Sequence, residues 1–205
     1  MTEIKAVAEF PCQTLEMAND IRPSHTRYGT ATIALHWIML LLIAAVYATI
    51  ELRELFPRGS DPRTLMKTWH FALGLSVFGL VWVRLLARRA RPSPPIEPAP
   101  PAWQQWLAKL THFALYGLMV AMPLAGWALL SAEGDPIPFF GFELSPLVGR
   151  DHALAEALEE LHEIGGTLLY VLVGAHALAA LVHHYLLRDN SLRRILPGRD
   201  RLAVR

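Results

Sequence analysis

The sequence predicts an all-α integral membrane protein, a bundle of four transmembrane helices. Hydrophobic residues make up 53% of the 205 residues, and they are concentrated in four stretches. Each stretch has the roughly 17 to 25 residues that a helix needs to cross about 30 Å of hydrocarbon. The alternation of apolar and polar residues that is typical of barrel strands is absent from them. The predicted spans begin at Ile33, Trp69, Phe113 and Leu168.

The first span, residues 33–50, is expected to be retained and not cleaved as a signal peptide. It runs directly into Glu51, Leu52 and Arg53 without a clear small-residue cleavage site. Residues 1–27 before it have mixed charge and no clear apolar period, so we expect a poorly ordered cytoplasmic extension. The single cysteine, Cys12, lies there, which excludes an intrachain disulfide and CxxC redox chemistry.

The three connections between the spans differ in composition. Six prolines in residues 91–103, between spans two and three, favour a stiff extended connector. Residues 132–152 mix glycine, proline and aromatic residues and are expected to form a loop at the opposite membrane surface. The last helix is expected to begin near Ala153 and to run to Leu187, because no proline interrupts this stretch. Residues 28–197 then form the membrane domain and 198–205 a cytoplasmic tail.

The distribution of basic residues predicts the orientation. Of the 19 lysines and arginines, fourteen lie beside the termini and in the connector between spans two and three, and five lie in the two opposite loops. Loops rich in lysine and arginine stay in the cytoplasm. We therefore expect both termini to be cytoplasmic.

Four histidines at or inside the apolar stretches are the strongest indication of function, because ionisable groups are costly in hydrocarbon and tend to mark cofactors or pathways. His162 and His176 are fourteen residues apart, which is about 21 Å of helix rise and nearly four turns, so they share a face at two depths. With alternating spans, His70 has the depth of His162 on the outer side, and His36 has the depth of His176 on the inner side.

The inner pairing is open on this argument alone. His183 lies two turns beyond His176 on the same face and matches the depth of His36 about as well. His112, just before span three, is a third inner candidate, whereas His184 lies on a different face and is expected to anchor the helix at the interface. Two pairs at two levels fit two haems better than zinc, which prefers four clustered ligands.

The chain resembles the bacterial cytochrome b561 family of four-helix, di-haem membrane cytochromes. The resemblance runs from about Tyr28 to Pro197 and is carried by the order of several motifs: "ALHW", "ELRELFPRG", "WHFALG", "RLLARRARPSPPI", "HFALYGLMVAMPLAGW", "LHEIGG" and "HALAALVHHYLLRDNSLRRILP". It implies that four histidines bind the iron of two b haems, and that the protein lies in the bacterial inner membrane. The implied ligands are His36, His70, His162 and His176.

The family resemblance implies a quinone-linked electron-transfer enzyme, since its best-understood member oxidises superoxide and reduces ubiquinone. In this hypothesis Arg58, Arg63 and Lys67 steer the superoxide anion to the outer haem. Arg84 is a candidate partner of a haem propionate, and His183 is a candidate proton donor at an inner quinone site. We expect contacts with lipid and quinone, and none with nucleic acid.

Two rival hypotheses remain. A non-catalytic carrier or membrane anchor would use the same ligands to pass electrons between quinol and a protein partner, and the acidic loop before the last span could bind a basic partner. A metal transporter or purely structural membrane protein would bind no haem.

Overall fold

The computed structural model describes residues 27–90 and 93–198, and its main elements are four long helices. They are α1 (Thr30–Leu52), α2 (Asp61–Arg89), α3 (Ala102–Glu133) and α4 (His152–Tyr185). All four are long and apolar enough to cross a membrane, and no more than 17% of the residues in each apolar window are buried inside the protein. The described chain is mostly helical, and its four long apolar helices are consistent with the predicted membrane helix bundle. The predicted extension before residue 27, with Cys12, lies outside the described residues.

The helices α2 and α3 begin well before the apolar stretches that predicted them. α2 begins at Asp61, with Pro62 in its first turn, and α3 begins directly after Pro101. Proline is compatible with the first turn of a helix, where its missing N–H would be unpaired in any case. The extra turns are polar or mixed in sequence, so hydropathy detects only the part of each helix that lies in hydrocarbon.

The last helix begins at His152, one residue before the predicted start. The Asp151 carboxylate accepts a hydrogen bond from the Leu154 backbone N–H at 3.1 Å, which caps the helix. α3 is capped at its C-terminal end by Gly134, whose φ of 77° is the left-handed conformation that glycine adopts readily at this position.

A small hairpin in the loop between α3 and α4 was not predicted. Its strands are β1 (Pro138–Phe139) and β2 (Phe142–Glu143), and Phe139 pairs with Phe142. The two turn residues, Phe140 and Gly141, have φ values of 47° and 87°. Hairpin turns with two positive φ values normally show Asn-Gly or Asp-Gly, so a Phe-Gly turn gave no clear sequence signal.

The helices pack in chain order, and the bundle is open between its first and last members. α1 packs on α2, α2 on α3 and α3 on α4. Within the described helices, no Cα of α4 comes within 8 Å of a Cα of α1 or α2. The histidines of α4 therefore face those of α1 and α2 across a gap wide enough for a flat group.

A cluster of buried apolar side chains from all four helices holds the bundle together at mid-height. Val81 has no exposed surface and is the most deeply buried member. Dense packing of this kind fixes the relative positions of the helices. The members are Met39, Ile43, Val77, Val81, Leu115, Met119, Met122 and Leu169.

One end of the bundle is closed by a clasp, which we define as residues 186–198 together with Tyr28 and residues 94–97. The backbone N–H of Tyr28 donates to the Arg194 carbonyl at 3.1 Å, and Trp37 Nε1 donates to the Ile195 carbonyl at 3.0 Å. Asn190 and Glu97 exchange two hydrogen bonds, at 3.0 and 3.1 Å. The clasp thus ties the residues before α1, the proline-rich connector and the C-terminal segment together.

Candidate functional site

The first candidate site pairs His70 of α2 with His162 of α4. Their ring centroids are 6.2 Å apart, with an interplanar angle of 75°. His70 Nδ1 lies 3.0 Å from the carbonyl oxygen of Val46. Because a carbonyl can only accept, Nδ1 of His70 carries the proton and Nε2 keeps its lone pair, the state that a metal ligand needs.

A cavity of about 880 Å³ lies beside this pair, and both histidines line it. Its volume is in the range of cavities that hold cofactors. Gly126 of α3 lies against the His162 ring: a Cβ atom there would be 3.1 Å from His162 Cε1. A glycine at this position therefore makes room for the imidazole.

The charges around this cavity are mostly negative. Four glutamates and two basic residues are among its lining residues: Glu51, Glu133, Glu159, Glu163, Arg53 and Lys67. Of the three basic residues expected to steer superoxide, only Lys67 lines the cavity. Arg63 instead bonds to Glu54 at 2.9 Å and donates to the carbonyls of Arg53 and Phe56, which fixes the segment between α1 and α2 against the start of α2.

The second candidate site pairs His36 of α1 with His176 of α4. Their ring centroids are 6.4 Å apart, with an interplanar angle of 71°. The two pairs are thus separated by the fourteen residues of α4 between His162 and His176, about 21 Å of rise. Of the two candidates that depth left open, His176 lies beside His36, whereas His183 lies against Asp189.

Arg84 and Tyr116 complete the polar group around His36. Arg84 NH2 lies 2.8 Å from His36 Nδ1, Arg84 Nε donates to the Tyr116 hydroxyl at 3.0 Å, and NH1 donates to the Leu35 carbonyl at 3.3 Å. The Arg88 guanidinium lies 6.0 Å from the Tyr116 ring centre. Tyr116 had no sequence signal, since a tyrosine in an apolar span is ordinarily a packing residue.

His112, the third inner candidate, lies next to His176 with its ring centroid 5.2 Å away. Its Nδ1 donates to the Ala108 carbonyl at 2.6 Å, one turn back on α3. Two imidazoles that bind one metal ion from opposite sides, at about 2 Å from each nitrogen, have their centres about 6 Å apart. The separations of 6.2 and 6.4 Å match this value, and the shorter His112–His176 distance does not.

His183 lies two turns beyond His176 and forms a pair with a residue that the sequence did not indicate. Its Nδ1 donates to Asp189 Oδ2 at 2.6 Å, and Ser191 N–H donates to Oδ1 at 2.8 Å. Burial raises the pKa of Asp189, but the hydrogen bonds from His183 and Ser191 outweigh it and hold the pKa below its usual value. The left-handed backbone of Arg188, with φ of 57°, turns the chain back so that Asp189 reaches His183.

The donor sets fit axial haem ligation better than a zinc site. Each site offers two facing imidazoles, and the part of the chain described here contains no group of three or more His, Cys, Asp or Glu side chains placed to hold a metal ion. Structural zinc normally takes four such ligands. Two imidazoles on opposite sides of a gap are the arrangement by which proteins hold a six-coordinate haem iron.

Comparison with known proteins agrees with this chemistry. A family model described as prokaryotic cytochrome b561 matches residues 27–198. Cytochrome b561 homolog 1 of Escherichia coli (strain K12) is 41% identical over 84% of this chain and 98% of its own length. Probable superoxide oxidase CybB of Yersinia pestis is 36% identical over 84% and 97%. The chain belongs to the prokaryotic cytochrome b561 family, whose members are membrane cytochromes that bind haem b and have a role in electron transfer.

Proposed function

We propose that the chain binds two b haems, one between His70 and His162 and one between His36 and His176, and passes electrons from one side of the membrane to the other. The observation that carries the proposal is the stacking of two matched histidine pairs, with centroid separations of 6.2 and 6.4 Å, along one transmembrane helix. When bound, the haems supply reversible one-electron chemistry.

The proposed orientation places the clasp in the cytoplasm and the 880 Å³ cavity at the outer surface of a bacterial inner membrane. It is supported by the excess of lysine and arginine beside the termini and in the proline-rich connector. The His70–His162 site is then the outer one and the His36–His176 site the inner one.

The proposed donor is superoxide, which would give one electron at the outer site and leave as molecular oxygen. His70 and His162 would both act as ligands of the haem, so the donor would pass its electron without binding to the iron. A relative that is 36% identical over 84% of this chain is named a probable superoxide oxidase, which supports this donor. The large cavity lined by His70 and His162 would give a small molecule access to this site.

The proposed acceptor is a membrane quinone such as ubiquinone, which takes up two electrons and two protons. In this scheme the His183–Asp189 pair handles protons at the cytoplasmic end, and the 2.6 Å contact between the two side chains supports this role. The Asp189 carboxylate accepts from His183 Nδ1 and so leaves Nε2 of the imidazole to exchange a proton with a quinone oxygen. Asp189 is a positioning residue in this scheme, because it acts through His183.

One observation favours the alternative of a non-catalytic carrier that exchanges electrons with a protein partner. The cavity lining has four glutamates against two basic residues, and this excess of negative charge repels superoxide and attracts a basic protein surface. The same haem ligands would serve in both cases.

Spectra and haem analysis of the protein purified in detergent test the proposal. We expect two low-spin b haems per chain, and a preparation without haem would contradict it. Rapid mixing with superoxide then separates the two functions. Haem reduction well above the rate of spontaneous dismutation supports superoxide as donor, and its absence, together with rapid reduction by a basic cytochrome, supports the carrier.

A further inference from the structure

The two histidine pairs differ in the group that contacts Nδ1 of His70 in one pair and Nδ1 of His36 in the other. We propose, resting on the haem ligation proposed above, that Arg84 sets the reduction potential of the haem at the His36–His176 site above that of the haem at the His70–His162 site. Arg84 is then a tuning residue that makes electron flow from the first site to the second downhill.

At the His70 site the group behind the ring is an acceptor. The Val46 carbonyl takes the Nδ1 proton of His70 in a hydrogen bond of 3.0 Å. A histidine that donates its second N–H in this way becomes a more basic, more electron-donating ligand. Electron donation from a ligand stabilises ferric iron and lowers the reduction potential.

At the His36 site the group behind the ring is a cation. Arg84 NH2 lies 2.8 Å from His36 Nδ1, and a guanidinium has only donors and remains charged in proteins. No carboxylate in the described part of the chain forms an ion pair with Arg84. A positive charge that is not neutralised, in a medium of low polarity, favours the reduced and less positive form of a nearby iron.

Two further hydrogen bonds hold the guanidinium at this level. Nε donates to the Tyr116 hydroxyl of α3, and NH1 donates to the Leu35 carbonyl of α1. A neutral imidazole that coordinates through Nε2 carries its proton on Nδ1 and cannot accept from Arg84. NH2 would then turn away from His36, while the bonds to Tyr116 and Leu35 keep the charge beside the ring.

Redox titration of the purified holoprotein, followed by its visible spectrum, tests the proposal. For Arg84→Gln we expect the higher-potential haem alone to shift downwards, so that its ferrous-to-ferric ratio at a fixed ambient potential falls about tenfold, or about 59 mV for one electron. Arg84→Lys keeps the charge and should stay close to the wild type. Lys67→Gln removes the same charge from the same helix at the other site and should leave the higher-potential haem unchanged.

Equal shifts of both haems in Arg84→Gln, or no shift, would overturn the proposal. If Arg84→Gln loses a haem, variants that lack one ligand test the order of the two potentials instead. His36→Ala must then lose the higher-potential haem and His70→Ala the lower-potential one, and the reverse result would contradict the proposal. Failure of the underlying function looks different, because the wild-type protein would then contain fewer than two haems. The electron paramagnetic resonance signature of bis-histidine haem should persist in Arg84→Gln and Arg84→Lys, which separates tuning from loss of structure.

Discussion

The two ends of this bundle surround their histidine pairs very differently. The His70–His162 pair borders an 880 Å³ cavity lined by four glutamates, and His70 is oriented by a backbone carbonyl. The His36–His176 pair lies at the clasped end, beside a guanidinium, a tyrosine and a third histidine. One helix, α4, supplies a histidine to both pairs, so the difference arises from what the other helices and the C-terminal segment bring. In the proposed function, the donor reacts at the open end and the quinone at the clasped end.

The largest expected effect comes from removing one ligand of either pair. His162→Ala and His176→Ala should each lower the haem content from two per chain to one, because each change deletes an axial ligand of one site only. Haem extraction and quantification against protein measures this. His183→Ala is the matched control on the same helix face and should keep both haems. Loss of both haems in either ligand variant would show that the two sites are not independent. Loss of one haem in His183→Ala would contradict the assignment of the ligands.

The next largest effect is expected at Gly126, which lies against the His162 ring at the first site. Gly126→Ala would place a methyl group 3.1 Å from His162 Cε1, a contact that the imidazole must move to relieve. We expect haem to dissociate several-fold faster from the His70–His162 site, and Gly126→Leu to abolish binding there. Gly117→Ala is the control on the same helix, because a Cβ at Gly117 meets nothing within 4 Å. Transfer of haem to an acceptor protein such as apomyoglobin gives both rates, and equal rates for the two alanine variants would show that Gly126 is not needed for the fit.

A smaller effect on the rate of haem reduction is expected when glutamates that line the cavity are neutralised. The sign of this effect identifies the donor. Glu159→Gln with Glu163→Gln removes two of the four lining carboxylates. If superoxide is the donor, the second-order rate of haem reduction should rise a few-fold at low ionic strength, since repulsion of the anion is reduced. Glu143→Gln, on β2 and outside the cavity lining, should leave the rate unchanged. A fall in the rate with a basic protein donor, and no change with superoxide, would favour the carrier.

The smallest expected effect is at the clasp. The pKa of Asp189 is held below its usual value, so its carboxylate stabilises the folded protein at neutral pH. Asp189→Asn should lower the melting temperature at neutral pH by a few degrees. The difference should be complete above the ordinary aspartate pKa of about 3.9 and should shrink as the pH falls through the lower folded value. Thermal unfolding in detergent across this range measures it, and a difference that does not change with pH would show that the charge of Asp189 is not involved.

The four helices and the levels of the histidines could be predicted because they depend on local properties. An apolar stretch of the right length has to cross the bilayer, and alternate spans run in opposite directions. The depth of His36, His70, His162 and His176 follows from these two facts alone. The choice of His176 over His183 did not follow from depth, because residues seven apart on a helix share a face.

The environment of each histidine could not be predicted, since it depends on contacts between distant parts of the chain. His36 and Arg84 are 48 residues apart, and Arg84 and Tyr116 are 32 apart. Asp189 reaches His183 only because the chain reverses at Arg188. Arg63 was expected to face the donor, but its guanidinium bonds to the segment between α1 and α2. The negative charge of the cavity had a partial sequence signal, because three of its four glutamates belong to the acidic loop before the last span.

Electron transfer across a sealed membrane tests the central claim most directly. The protein is reconstituted into quinone-free liposomes that enclose ferricyanide, and an impermeant reductant is added outside. We expect the enclosed ferricyanide to be reduced at a rate proportional to the protein content, and His70→Ala or His36→Ala alone to stop it, because both haems are needed to span the bilayer. Reduction that persists in either variant, or no reduction by a wild-type protein that contains two haems, would contradict the account.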